Sequence, residues 1–76
     1  MKVLVLGTGC AKCSKLYDHA AAAIAATGVS AELEKVSDIQ AILAHGVMMT
    51  PALVIDGVVK VAGKVPDVDE IAGWLV

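Results

Sequence analysis

Two cysteines separated by two residues, Cys10 and Cys13, stand between an apolar run, Val3–Leu6, and a stretch from Ala11 to Thr27 with helical character. This placement constrains the chain more than any other feature. Val3-Leu4-Val5-Leu6 is continuous, apolar and β-branched at alternate positions, as suits a central strand covered on both faces. Gly7-Thr8-Gly9 reads as the turn that ends it. Alanine and leucine then favour helix, and Gly28 supplies a stop. Strand, glycine turn, Cys-x-x-Cys and helix follow one another directly, so both thiols fall at the start of a helix.

That position has chemical consequences. Two intervening residues across one helical turn bring the sulfurs within bonding reach. A helix N-terminus offers unpaired N–H groups and a partial positive charge, and both favour a thiolate on Cys10. Lys12 and Lys15 add positive charge nearby, although Lys12 reads equally well as a solvated helix residue. A free thiol titrates near ~8.5, and such surroundings lower it to roughly 3.5–7.5. Cys10 is therefore expected as the exposed nucleophile and Cys13, one turn into the helix, as the less exposed resolving thiol. A purely structural disulfide closing so small a loop would stabilise little.

The rest of the chain alternates strand and helix. Leu16, Ala20, Ala23, Ile24 and Thr27 share one helix face, with Lys12, Lys15, Asp18 and His19 mostly away from it. Ala31–Val36 predicts a second strand whose charged alternation, Glu32, Glu34 and Lys35, fits a sheet edge. Ser37-Asp38-Ile39-Gln40 reads as a capping box for a second helix with Ile39, Ile42 and Leu43 as its apolar stripe, ended by His45-Gly46. Ala52–Ile55 and Val58–Ala62 flank Asp56-Gly57, a two-residue hairpin signal. Asp67 and Glu70 cap a last helix carrying Val68, Ile71, Ala72 and Leu75 at helical spacing. The order is βαβαββα, with a parallel first βαβ unit and an antiparallel final hairpin. Thr50-Pro51 leads into the third strand, where a proline loses no needed ladder bond. A cis bond there would turn the loop tightly and present the Thr50 backbone to a bound chain, but proline statistics alone favour trans.

Composition narrows the function classes. The 76 residues suffice for one domain, and 58% are hydrophobic while only Tyr17 and Trp74 are aromatic. The core is thus expected from Val, Leu, Ile and Ala. Six lysines against eight acidic residues give a net charge of −2, with no basic patch or aromatic platform for nucleic acid. Val3–Leu6 is shorter than the roughly 7–15 apolar residues of a signal core. The Ala20–Ala26 run falls far short of the roughly 20 residues that span a bilayer. These features lead to the expectation of a cytoplasmic protein that engages no membrane, with its two cysteines as a reactive or metal-binding pair and not a secreted disulfide framework.

With these motifs the chain resembles the thioredoxin/glutaredoxin superfamily, closest to the small prokaryotic redox-active disulfide thioredoxin-like proteins. The resemblance spans nearly the whole chain. It is carried by Gly9-Cys10-Ala11-Lys12-Cys13 after the first strand, Thr50-Pro51-Ala52 before the third, and the Asp56-Gly57 hairpin with its closing helix. It implies an α/β fold over residues 1–76 as a single domain: a minimal thioredoxin fold with a four-stranded mixed sheet ordered 2-1-3-4 and helices on both faces. It implies a cis Pro51 beside the cysteines and, with Gly9, Thr50 and Pro51 along the substrate site, thiol–disulfide exchange with protein disulfides through Cys10 and Cys13. No cofactor and no metal are then needed beyond that dithiol, the partners are a protein disulfide and a reductase, and a monomer is expected. Gly9 stands where typical thioredoxins carry Trp, Ala11-Lys12 replace Gly-Pro, and the first strand lacks their buried acid. Ala62-Gly63 and Asp67 match the glutathione element of glutaredoxins only loosely.

The alternative is a soft-metal module binding Cu(I) or zinc through the same two thiolates. The Gly7-to-Cys13 loop also resembles that of heavy-metal carrier domains, whose order is βαββαβ and ends in a strand. Among the remaining residues, His19 and His45 read as ordinary surface histidines. Met48 and Met49 read as core or loop packing, with a substrate groove as the other option. Tyr17 either flanks the site or covers the sheet, and Trp74 is expected half-buried.

Overall fold

The structure, a computed structural model, describes residues 1–8 and 11–75. Its elements are β1 (Lys2–Leu6), α1 (Ala11–Thr27), β2 (Glu32–Val36), α2 (Ile39–Ala44), β3 (Ala52–Ile55), β4 (Val58–Ala62) and α3 (Val68–Leu75). They form a four-stranded mixed sheet ordered β2-β1-β3-β4. β1 runs parallel to β2 and antiparallel to β3, and β3 pairs antiparallel with β4. This is a minimal thioredoxin fold, and its order differs from the βαββαβ of the carrier domains.

The period-two alternation of β1 divides the interior into two layers. Val3 and Val5 pack with Leu16, Ala20 and Ala23 of α1, Leu53 and Ile55 of β3, and Ile71 and Leu75 of α3. On the opposite face Leu6 packs with Ile42 of α2, Val47, Ala52 and Val54. Thus α1 and α3 cover one side of the sheet and the short α2 the other. Alanines at 20 and 23 have no side chain beyond Cβ, which lets the long helix approach the strands. Each fully buried leucine or valine contributes about 1.5–3 kcal/mol through removal from water. Of the chain's aromatics, Tyr17 and Trp74 are half-buried at the rim of the larger cluster. Tyr17 covers the sheet there, its ring centroid 5.5 Å from Lys35 Nζ on β2.

The connections follow local chemistry. Asp56 (φ +49°) and Gly57 (φ +81°) both adopt the left-handed region, as a two-residue type I′ hairpin turn requires. Asp67 caps α3, its Oδ1 accepting from the Glu70 N–H at 2.8 Å. At α2 the cap is Asp38, one residue beyond the expected Ser37: its extended backbone and its side chain, which accepts from Gln40 N–H at 3.0 Å, define the helix start. The ionised carboxylate is the stronger acceptor of the two neighbouring candidates. Register shifts between Leu53 and Val54, where Lys60 is left between the paired Val59 and Val61. A bulge and a lysine at an edge strand both discourage pairing with another chain. No described helix is long and apolar enough to cross a membrane.

Candidate functional site

The C-terminal end of β1 organises the site. The last β1–β3 pair is Leu6 with Ala52, so the next residue on each strand is Gly7 and Pro51 respectively. Gly7 stays attached to the sheet because its N–H donates to the Val36 carbonyl of β2 at 2.9 Å. Both Gly7 and Pro51 are buried. The sheet therefore delivers Gly7, the first residue of the glycine turn, and Pro51, which leads into β3, to the same edge of the molecule.

Cys13 lies in the first turns of α1 and is fully buried. Its side chain rests against Gly7: a Cβ on Gly7 would overlap Cys13 Sγ and stand 3.0 Å from Cys13 Cβ. Gly7 thus reads differently in three dimensions than in sequence, where it belongs to a turn. Among the described residues no charged side chain is buried. Lys12 is exposed in the first turn of α1, and that turn carries no acidic residue to offset the positive helix end. Gly9 and Cys10 lie outside the described residues, and so do the expectations attached to them.

The Thr50–Pro51 peptide bond is cis. Thr50 is exposed and Pro51 buried, so the loop surfaces immediately before β3 begins. The Pro51 carbonyl accepts a hydrogen bond from the Gly63 N–H at 2.7 Å, which ties the loop to the end of β4. Gly63 has φ +78°, and a Cβ there would meet Met49 Cε at 2.9 Å. Met48 and Met49 are 91% and 63% exposed, so neither belongs to the core. Of the readings open to the two methionines, core packing is excluded, while Met49 lies in the loop against Gly63.

His19 also departs from expectation. It is half-buried, and its Nδ1–H donates to the Pro66 carbonyl at 2.9 Å, linking α1 to the segment before α3. A carbonyl only accepts, so Nδ1 carries the hydrogen. His19 sits one turn beyond Lys15, on the flank of the buried face, and nothing local in the sequence announces a partner 47 residues away. His45 ends α2 as its C-cap.

A buried cysteine on the first helix, seated against the end of the central strand β1, and a cis-proline one step from the same strand end make a recognisable combination. Residues 1–76 match the thioredoxin domain family. The chain is 39% identical over 71 residues to a thioredoxin of Methanothermobacter thermautotrophicus, covering 93% of this chain and 92% of that protein. It is 39% identical over 69 residues to a thioredoxin of Methanocaldococcus jannaschii, covering 91% of this chain and 79% of that one. Sheet order, strand-end geometry and sequence agree: this chain belongs to the thioredoxin domain family.

Proposed function

We propose that the protein is a thiol–disulfide oxidoreductase whose redox centre is the Cys10–Cys13 pair. The observation that carries the reading is the seat of Cys13, buried at the start of α1 and at the sheet end that also bears the cis Thr50–Pro51 bond. A resolving thiol needs such shelter, because it must react with its neighbour and not with bulk disulfides. The two relatives that bear the name thioredoxin support the same chemistry.

In this reading the Cys10 thiolate, favoured by the uncompensated helix end and by Lys12, attacks one sulfur of a substrate disulfide. That bond breaks, one substrate sulfur leaves as a thiolate, and a mixed disulfide joins Cys10 to the other. Cys13 then gives up its proton and attacks the Cys10 sulfur, which releases the second substrate thiol and leaves a Cys10–Cys13 bond. Two electrons pass from the dithiol to the substrate, and a separate reductase returns them. The reading assigns Gly9, Thr50 and Pro51 to substrate binding, with an extended substrate segment pairing with the Thr50 backbone. The substrate is a protein disulfide, the dithiol serves without a further cofactor, and the setting is a reducing cytoplasm with the protein as a monomer.

The test uses single variants and a protein disulfide substrate. Cys10→Ser is expected to abolish exchange, and Cys13→Ser to accumulate a mixed disulfide visible by mass. Turnover equal to the parent in both variants would overturn the reading.

A further inference from the structure

We propose that Gly7 is a positioning residue for the Cys13 sulfur, an inference that rests on the dithiol reading above. Gly28, Gly46, Gly57 and Gly63 adopt positive φ, which explains a glycine at each. Gly7 does not, so its backbone conformation is open to alanine. What excludes a side chain is the sulfur: a Cβ on Gly7 would overlap Cys13 Sγ. Neither backbone has an easy way to yield. Gly7 is held to β2 by its 2.9 Å hydrogen bond to Val36, and Cys13 is anchored by the helix whose next turn buries Leu16. The missing side chain at position 7 therefore makes the cavity in which the resolving sulfur sits.

The consequence is asymmetric between the two redox states. A thiol relieves an overlap by rotating about χ1. A sulfur bonded to Cys10 is tethered and cannot rotate without straining the new bond. A methyl group at position 7 thus disfavours the oxidised form more than the reduced one, and strained disulfides are the more oxidising ones. A methyl that displaces the Cys13 sulfur also slows its reaction with Cys10. Gly73 is the natural control: it is exposed on α3, lacks positive φ, and a Cβ there meets nothing within 4 Å.

The experiment loads Cys10 with 2-nitro-5-thiobenzoate and follows release of the coloured thiol by Cys13, alongside a redox titration. Gly7→Ala should slow release at least tenfold and make the disulfide at least tenfold easier to reduce, a shift of about 30 mV. Gly73→Ala should match the parent in both. A parent that releases nothing would sink the dithiol reading itself. A parent that releases normally, with Gly7→Ala within twofold in rate and equilibrium, would sink only the role of Gly7. If Gly7→Ala does not fold, the same substitution in a Cys13→Ala background decides, because the overlapping sulfur is gone. A cooperative unfolding transition regained there supports the proposal, and failure to fold in that background as well overturns it.

Discussion

The carbonyl of Pro51 and the N–H of Gly63 are joined at 2.7 Å, so the loop that opens β3 and the residue that follows β4 hold each other in place. Gly63 achieves this only with φ +78°, a region in which a side chain is strained. Gly63→Ala should therefore cost about 1–2 kcal/mol in chemical denaturation. Met49 Cε, the far end of a flexible side chain, gives way cheaply. The cost should be the same in a Met49→Ala background, which separates backbone strain from crowding.

Asp56 has two duties at the other end of the sheet. Its Oδ1 accepts from the Lys2 N–H at 2.8 Å, and its own N–H donates to the Lys2 carbonyl at 2.9 Å. It also sits at positive φ, which aspartate tolerates better than alanine does. Asp56→Ala should lower stability by about 1–2 kcal/mol, whereas Asp56→Asn, which keeps an acceptor and tolerates the turn, should stay within about 0.5 kcal/mol. Thermal unfolding of the two variants checks this.

The cap on α3 is remote from the cysteines. Asp67→Ala should cost about 1 kcal/mol of stability by leaving the Glu70 N–H without its acceptor. The reduction potential of the dithiol should not move. A potential shift without a stability loss would mean that α3 is coupled to the site in a way the cap does not explain.

Met48 projects into solvent at 91% exposure beside the cis-proline loop. Exposed methionines adapt to varied apolar partners. Met48→Ser should leave stability within about 0.5 kcal/mol and raise KM for a protein disulfide several-fold, with the potential of the dithiol unchanged. Steady-state kinetics with a protein and with a small disulfide distinguish the two effects, since only the protein should respond.

Much of this architecture was legible in the chain because its signals are local. The apolar alternation of Val3–Leu6, the Asp56-Gly57 turn and the Asp67 cap each depend on residues within a few positions of one another. What escaped depends on three-dimensional neighbours. Gly7 reads as half of a turn until α1 folds back and sets Cys13 against it. His19 reads as a surface residue because its partner, Pro66, arrives with a different element. The α2 cap falls on Asp38 and not on its neighbour Ser37, and the bulge that leaves Lys60 unpaired carries no residue signature in the sequence. Thr50–Pro51 was expected to be cis only through family resemblance, since no local rule distinguishes it from an ordinary strand-opening proline.

The central claim is a reversible dithiol couple, and a redox titration tests it most directly. The protein is equilibrated across a series of dithiol/disulfide buffers, quenched with an alkylating reagent and read by mass. The account predicts one two-electron transition in which both cysteines change state together, lost in Cys10→Ser and in Cys13→Ser. Two thiols that stay alkylatable across the whole range, or a transition that survives either substitution, would contradict it.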